Sequence, residues 1–359
     1  MPQTPQPTDA QRRHDTTLRG FASDNYAGMH PEVLEALALA NGGHQTSYGE
    51  DAYSEHLQDI FKQHFGPQAH THLVLNGTGA NVVALQAVTD RWGAVIAADT
   101  SHINCDENGA PERVGGLKLL TVPGENGKLT PELIDRQAWG FGDPHRAQPQ
   151  VVSITQTTEL GTCYTPEEIA AICDRAHEHG LRVHLDGARL ANAAATLGLP
   201  LHAFTTDVGV DILTFGGTKN GLMLAEAIVV LNPTATRGLE FLHKASMQLP
   251  SKTRFLAVQF EALLAGDLWL RSANHANALA KRLSDAVNAY EQVEVLYPVQ
   301  ANAVFATLPK AVTERLQKRF RFYTWDENTG AVRWMTAFDT TEADIDAFSA
   351  AIGEELAAQ

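Results

Sequence analysis

Between Pro31 and Leu231, short apolar runs alternate with segments of helical periodicity, and few folds accommodate that alternation. Pro31 to Ala40 and Asp51 to Phe65 read as helices, the second closed by Gly66. His72 to Leu75, Ala94 to Ala98, Gly116 to Val122, Val151 to Thr155, Leu181 to Leu185, Asp211 to Phe215 and Ala225 to Leu231 read as strands. Thr165 and Pro166 suit the start of a helix reaching His179, and Gly180 suits its end. Strands this apolar are buried on both faces. The pattern therefore predicts an α/β fold, a mostly parallel sheet with helices on either side.

After about residue 240 the texture changes. A long helical stretch, Thr253 to Leu283, leads to strands at Val293 to Tyr297 and Ala303 to Leu308. A short helix, the strand-like Ala331 to Thr336 and a helix capped by Thr341 complete the chain. The expected organisation is a flexible tail over residues 1–18, a large unit over 19–252 and a smaller α+β unit over 253–359. A chain of 359 residues is long enough for two such units.

Composition narrows the function. Lys and Arg number 27 against 42 Asp and Glu, a formal charge of −15, which repels phosphate backbones and anionic lipid surfaces. Nucleic acid and membrane are therefore not expected partners. The longest apolar stretch, Leu222 to Leu231, is broken by Glu226 and is far shorter than the roughly 20 residues of a membrane span. The polar start, with Pro2, Pro5 and Pro7, lacks the apolar run of a signal peptide. Three cysteines, Cys105, Cys163 and Cys173, make no disulfide framework and fit a reducing cytoplasm.

Open parallel sheets bind ligands at the carboxyl ends of their strands, and three loops there carry unusual residues. Asn76-Gly77-Thr78-Gly79-Ala80-Asn81 opens a helix, where Gly77 and Thr78 can offer backbone N–H groups to a phosphate or simply make a turn. Asp186, in His184-Leu185-Asp186-Gly187-Ala188-Arg189, ends an apolar strand, where a carboxylate needs a cation facing it. That cation is Arg189 or the protonated ring nitrogen of a cofactor. Lys219, in Phe215-Gly216-Gly217-Thr218-Lys219-Asn220-Gly221, is by itself as well explained by a solvated turn. Taken together, an anion cradle, a strand-end Asp and a Lys one helix and one strand later are the parts of a pyridoxal phosphate site. His70 and His72 point to one face but lack a third ligand, so no metal site is expected.

At these motifs the chain resembles the low-specificity L-threonine aldolases, pyridoxal 5'-phosphate enzymes of the aspartate-aminotransferase-like fold type I. The likeness runs from Phe21-Ala22-Ser23-Asp24-Asn25-Tyr26 through Tyr48-Gly49-Glu50-Asp51 and the three loops to Ala331-Val332-Arg333-Trp334-Met335. It implies retro-aldol cleavage of L-threonine, L-allo-threonine and related β-hydroxy-α-amino acids, with Lys219 as the Schiff-base lysine and Asp186 at the pyridine nitrogen. It places Gly77 and Thr78 at the phosphate, with Arg254 reaching the cofactor of a neighbouring subunit in a homotetramer or dimer. Arg189, Arg333 and Ser23 take the substrate carboxylate. His102 stacks on the cofactor ring and is the first candidate for the base, with His145 or a water as rivals. Racemisation or β-elimination on the same scaffold is the alternative reaction.

Overall fold

A computed structural model describes residues 12–358. Of the expected tail, residues 1–11 lie outside the described residues; Arg12 to Leu18 are exposed, and Arg19 then pairs with Asp339 at 3.3 Å.

The large sheet has seven strands: β1 (His70–Val74), β2 (Gly93–Ala98), β3 (Lys118–Val122), β4 (Gln148–Thr155), β5 (Arg182–Gly187), β6 (Ile212–Gly216) and β7 (Glu226–Val230). Their order is β1-β7-β6-β5-β4-β2-β3. β7 runs antiparallel to both neighbours and the other pairings within the sheet are parallel. β2, β6 and β7 are buried at every position, as strands covered on both faces must be. Alternate residues divide between the faces: Ala227 and Val229 enter one core, Ile228 and Val230 the other.

Helix boundaries follow local chemistry. Asp51 caps the helix Ala52–Phe65 by accepting the N–H groups of Tyr53 and Ser54. Thr165 and Glu168 form a reciprocal capping box at the start of Pro166–Glu178, and Thr341 and Asp344 do the same for Glu342–Ala357. The long helix expected from Thr253 to Leu283 is two helices, Arg254–Leu264 and Leu268–Val287. Gly266, a poor helix residue, lies in the break between them.

A second sheet comprises β8 (Glu294–Val295), β9 (Ala303–Thr307), β10 (Tyr323–Asp326) and β11 (Ala331–Met335), ordered β10-β11-β9-β8 and antiparallel throughout. Its core gathers Trp334, Phe348, Ile352 and Leu283. The N-terminal segment belongs to this core as well. Phe21 stacks on Phe348 at 4.4 Å between ring centroids, and its backbone bonds Arg321 and Met335 at 2.7 and 2.8 Å. Conversely, Leu256, Phe260 and Leu263 pack in the core of the large sheet, and the changeover falls within Leu268–Val287, between Ala273 and Leu279. The expected boundary between residues 252 and 253 precedes that changeover, because helical periodicity identifies an apolar face but not the sheet that receives it.

Candidate active site

The carboxyl ends of β4, β5 and β6, the start of β7 and the helix Gly77–Ala87 surround one cleft. Gly77, Asn81, His102, Glu159, Asp186, Arg189, Lys219 and Glu226 line it. A wider vestibule adjoins it, walled by Ser23, Tyr323, Trp325 and Arg333 and sharing His102, Glu159, Arg189 and Lys219 with the inner cleft.

At the helix start, Asn76 Oδ1 accepts the N–H of Gly79 at 2.8 Å, and Asn76 O accepts that of Ala80. The N–H groups of Gly77 and Thr78 find no acceptor among the described residues and lie at the positive end of the helix. Space is open at Gly77, where an added Cβ would meet nothing within 4 Å. Glycine at position 79 has a different reason: a Cβ there would lie 2.2 Å from the Gln248 side chain.

Asp186 is buried at the end of β5 and accepts the N–H of Ala188 at 3.0 Å. Its other oxygen accepts from Asn81 Nδ2 at 2.8 Å. The same amide nitrogen donates to Glu107 Oε1 at 2.8 Å, while Asn81 Oδ1 accepts from Thr214 Oγ1 at 2.8 Å. Burial alone would raise the Asp186 carboxyl. The charges of His102 and Lys219 outweigh burial and hold it below its ordinary range. Behind it, His184 is fully buried, bonded to Ser153 Oγ at 2.9 Å and kept neutral by burial, its pKa lowered to about 4.

His102 Nδ1 meets Glu107 Oε1 at 2.8 Å, and its backbone N–H donates to Glu159 Oε1 at 2.8 Å. Burial acts to lower the imidazole pKa, but the Glu107 hydrogen bond and the Asp186 charge hold it above its ordinary value. Burial, with the nearby charge of Asp186 adding to it, drives Glu159 the other way, up to about 7.

Lys219 sits in the turn Thr218–Asn220 and is half-buried against both cavities, so it is not a solvated turn lysine. The flanking glycines serve packing: a Cβ on Gly216 would lie 2.6 Å from Ala188 O, and one on Gly217 2.6 Å from Ala225 O. Gly217 N–H donates to Glu226 Oε2 at 3.0 Å.

Arg189 donates to Asp24 through Nε at 2.8 Å and Nη2 at 3.0 Å. The local pairing of Arg189 with Asp186 that the sequence allowed is therefore not made, and Arg189 enters the cleft already paired. Arg333, like Lys219, lines the vestibule without a carboxylate partner among the described residues. Its guanidinium lies 4.9 Å from the Trp325 ring centroid, Nη2 donates to Ala22 O at 3.1 Å, and buried Nε has no partner among the described residues. Burial, and then the charge of Arg189, lower its pKa to about 10. Ser23 borders the vestibule and caps the turn Asp24–Tyr26.

Two expected residues stand apart. His145 occupies an exposed turn ahead of β4, at the opposite end of that strand from the cleft, and lines neither cavity of its own chain. His145 was expected from the family resemblance alone, and within one chain β4 separates it from the cleft. Arg254 also lies outside both cavities, with Nε buried and unpartnered among the described residues. Sequence reasoning gave no role to Asp24, Asn81, Glu107 or Glu159. Glu159 carried a readable signal, a carboxylate just past an apolar strand, the same signal that singled out Asp186.

The sequence profile of the family described as Beta-eliminating lyase matches residues 20–311. A low specificity L-threonine aldolase of a Pseudomonas species is 42% identical over 340 residues, covering 94% of this chain and 98% of that one. Its counterpart in Pseudomonas aeruginosa is 43% identical over 322 residues, covering 89% and 93%. The chain belongs to the low-specificity L-threonine aldolase family. The solved threonine aldolase of Leishmania major superposes with a TM-score of 0.88 at 30% identity, covering 93% of this chain and 98% of that one. Membership makes the protein a lyase of the fold type expected from its motifs. Among the described residues no helix is long and apolar enough to cross a membrane.

Proposed function

We propose that the protein cleaves L-threonine, L-allo-threonine and related β-hydroxy-α-amino acids to glycine and an aldehyde, using pyridoxal phosphate. The observation that carries this reading is the convergence of Lys219, Asp186 and the helix start at Gly77, whose N–H is free among the described residues, on one cleft. They suit the three demands of that cofactor: an amine to hold it, an anion beside its ring nitrogen and donors for its phosphate. The unpartnered Nε of Arg333 suits a substrate carboxylate.

Lys219 would hold the cofactor, Asp186 would keep its ring nitrogen protonated, and the Gly77 and Thr78 N–H groups would anchor its phosphate. Bound pyridoxal phosphate supplies an electron sink for the Cα–Cβ bond pair. Arg333 and Ser23 orient the substrate carboxylate, with Arg189 set in place by Asp24. His102, fixed by Glu107, covers the ring. The cleft is open to a small amino acid through the vestibule. Arg254, away from its own cleft with a buried unpaired Nε, supports a homo-oligomer, a tetramer or dimer, in which it serves a neighbouring subunit. Three free cysteines suit a cytoplasmic setting.

The test is release of aldehyde and glycine from L-threonine and L-allo-threonine, with borohydride-reduced protein as control. Equimolar products, abolished by reduction, are expected. Ammonia and a keto acid, or an inverted amino acid, without aldehyde would instead establish β-elimination or racemisation.

A further inference from the structure

Four side chains border both the inner cleft and the vestibule: His102, Glu159, Arg189 and Lys219. Three are committed. Arg189 is bound at two points by Asp24, His102 Nδ1 is bound by Glu107, and Lys219 is the amine that would hold the cofactor. Glu159 is the remaining one. Its place is fixed by the end of β4 and by the His102 N–H, which Oε1 accepts at 2.8 Å.

We infer that Glu159 is the base that takes the β-hydroxyl proton of the substrate, an inference that rests on the retro-aldol reading above. The substrate O–H bond breaks and its proton passes to the Glu159 carboxylate. The oxygen's electron pair becomes the second bond of the aldehyde carbonyl as Cα–Cβ opens. Cα later gains one proton to give glycine, and Glu159 loses the one it took, so the cycle balances.

The surroundings favour Glu159 over His102. The titratable and charged groups that share these two cavities with Glu159 are Asp99, His102, Cys105, Asp106 and Glu107, Asp186 and Arg189 at the end of β5 and after it, Lys219 from the turn after β6, Glu226 at the start of β7, and Tyr323 and Arg333 from the C-terminal sheet. Enclosure and Asp186 set the Glu159 carboxyl near neutrality, whereas the Glu107 hydrogen bond and the Asp186 charge raise the His102 imidazole against the effect of burial. A carboxylate poised near working pH both accepts and releases a proton readily, and among the described residues Glu159 has no charged side-chain partner that occupies it as Glu107 occupies His102 Nδ1.

Glu159→Gln preserves the volume and an oxygen to accept the His102 N–H. It should lower kcat for L-threonine by about 100-fold, the scale of a lost general base, with KM changed by less than about threefold. The acid limb of the wild-type kcat/KM profile, expected near pH 7, should disappear. Exchange of the glycine Cα proton in deuterated water needs no β-hydroxyl and should survive. In cofactor-free protein, infrared difference titration should show a protonated carboxyl band that fades near pH 7 and is absent from the variant. A variant that keeps rate and acid limb overturns the inference. Equal loss of cleavage and glycine exchange also overturns it, since Glu159 would then only be holding His102 in place. A wild-type protein that cleaves no β-hydroxy amino acid defeats the retro-aldol reading itself, a result distinct from both.

Discussion

Arg189 grips Asp24 through two hydrogen bonds of 2.8 and 3.0 Å, although the two are separated by 165 positions in the chain. Asp24 also accepts from Asn302 Nδ2 at 3.1 Å. This contact ties the N-terminal segment, the loop after β5 and the C-terminal sheet together at the mouth of the cleft.

Asp24→Asn would strand a largely enclosed guanidinium, so urea denaturation should show a loss of about 3 kcal/mol. Burial by itself would raise the Asp24 carboxyl, and the charge and hydrogen bonds of Arg189 more than reverse this. A lowered carboxyl adds stability above its ordinary range and loses it as pH falls through the lowered value. The difference between variant and wild type should therefore shrink in strong acid. A gap that stays constant into acid would show that the pair is not its source.

Arg333→Met should separate binding from stability. The wild-type side chain bears a cost of burial and leaves Nε unpaired, so the apolar substitute should unfold no more easily than the wild type. Substrate KM should rise by about 100-fold from loss of a charge-assisted carboxylate contact. Thermal melting and steady-state kinetics read the two effects separately. Loss of cofactor with KM unchanged would assign Arg333 elsewhere.

Asn81→Ala removes the amide whose nitrogen serves Asp186 and Glu107 together. Two buried carboxylates would then face each other without a shared donor. The expected cost is about 2 kcal/mol in chemical denaturation, with weaker retention of pyridoxal phosphate on dialysis. Full stability and full cofactor content would show that the bridge is dispensable.

Glu159→Gln should also change stability with pH. The folded carboxyl titrates near 7, above its ordinary 4.5, so its contribution is complete below pH 4.5 and is lost as pH rises through 7. At pH 8 the variant should be more stable by up to about 3 kcal/mol, and at about pH 4 the two should melt together. Equal melting temperatures at both ends would place the Glu159 carboxyl at its ordinary value.

The strands and helices of the large sheet were legible because their causes are local. Thr165 caps with Glu168, Asp51 caps with Ser54, and β6 and β7 are apolar runs bounded by turn residues. The Asp186 and Lys219 loops stood out for the same reason, a charged or glycine-rich interruption just past a strand. The break at Gly266 was hidden by continuous periodicity on either side of it. Phe21 gave no sign that it would fill the core of the C-terminal sheet.

The sequence by itself determined a mostly parallel α/β scaffold and which strand ends would carry chemistry, since periodicity, caps and turns act over a few residues. Only the tertiary structure decided how those ends are wired. It paired Arg189 with Asp24 rather than Asp186, joined Asp186 to Glu107 through Asn81, and set Glu159 between cleft and vestibule. It also left His145 at the far end of β4. Such pairings depend on burial and on partners brought together across more than a hundred positions, as Asn81 and Asp186 are at 105. The same burial decides which carboxylates stay charged and which hold a proton near neutrality.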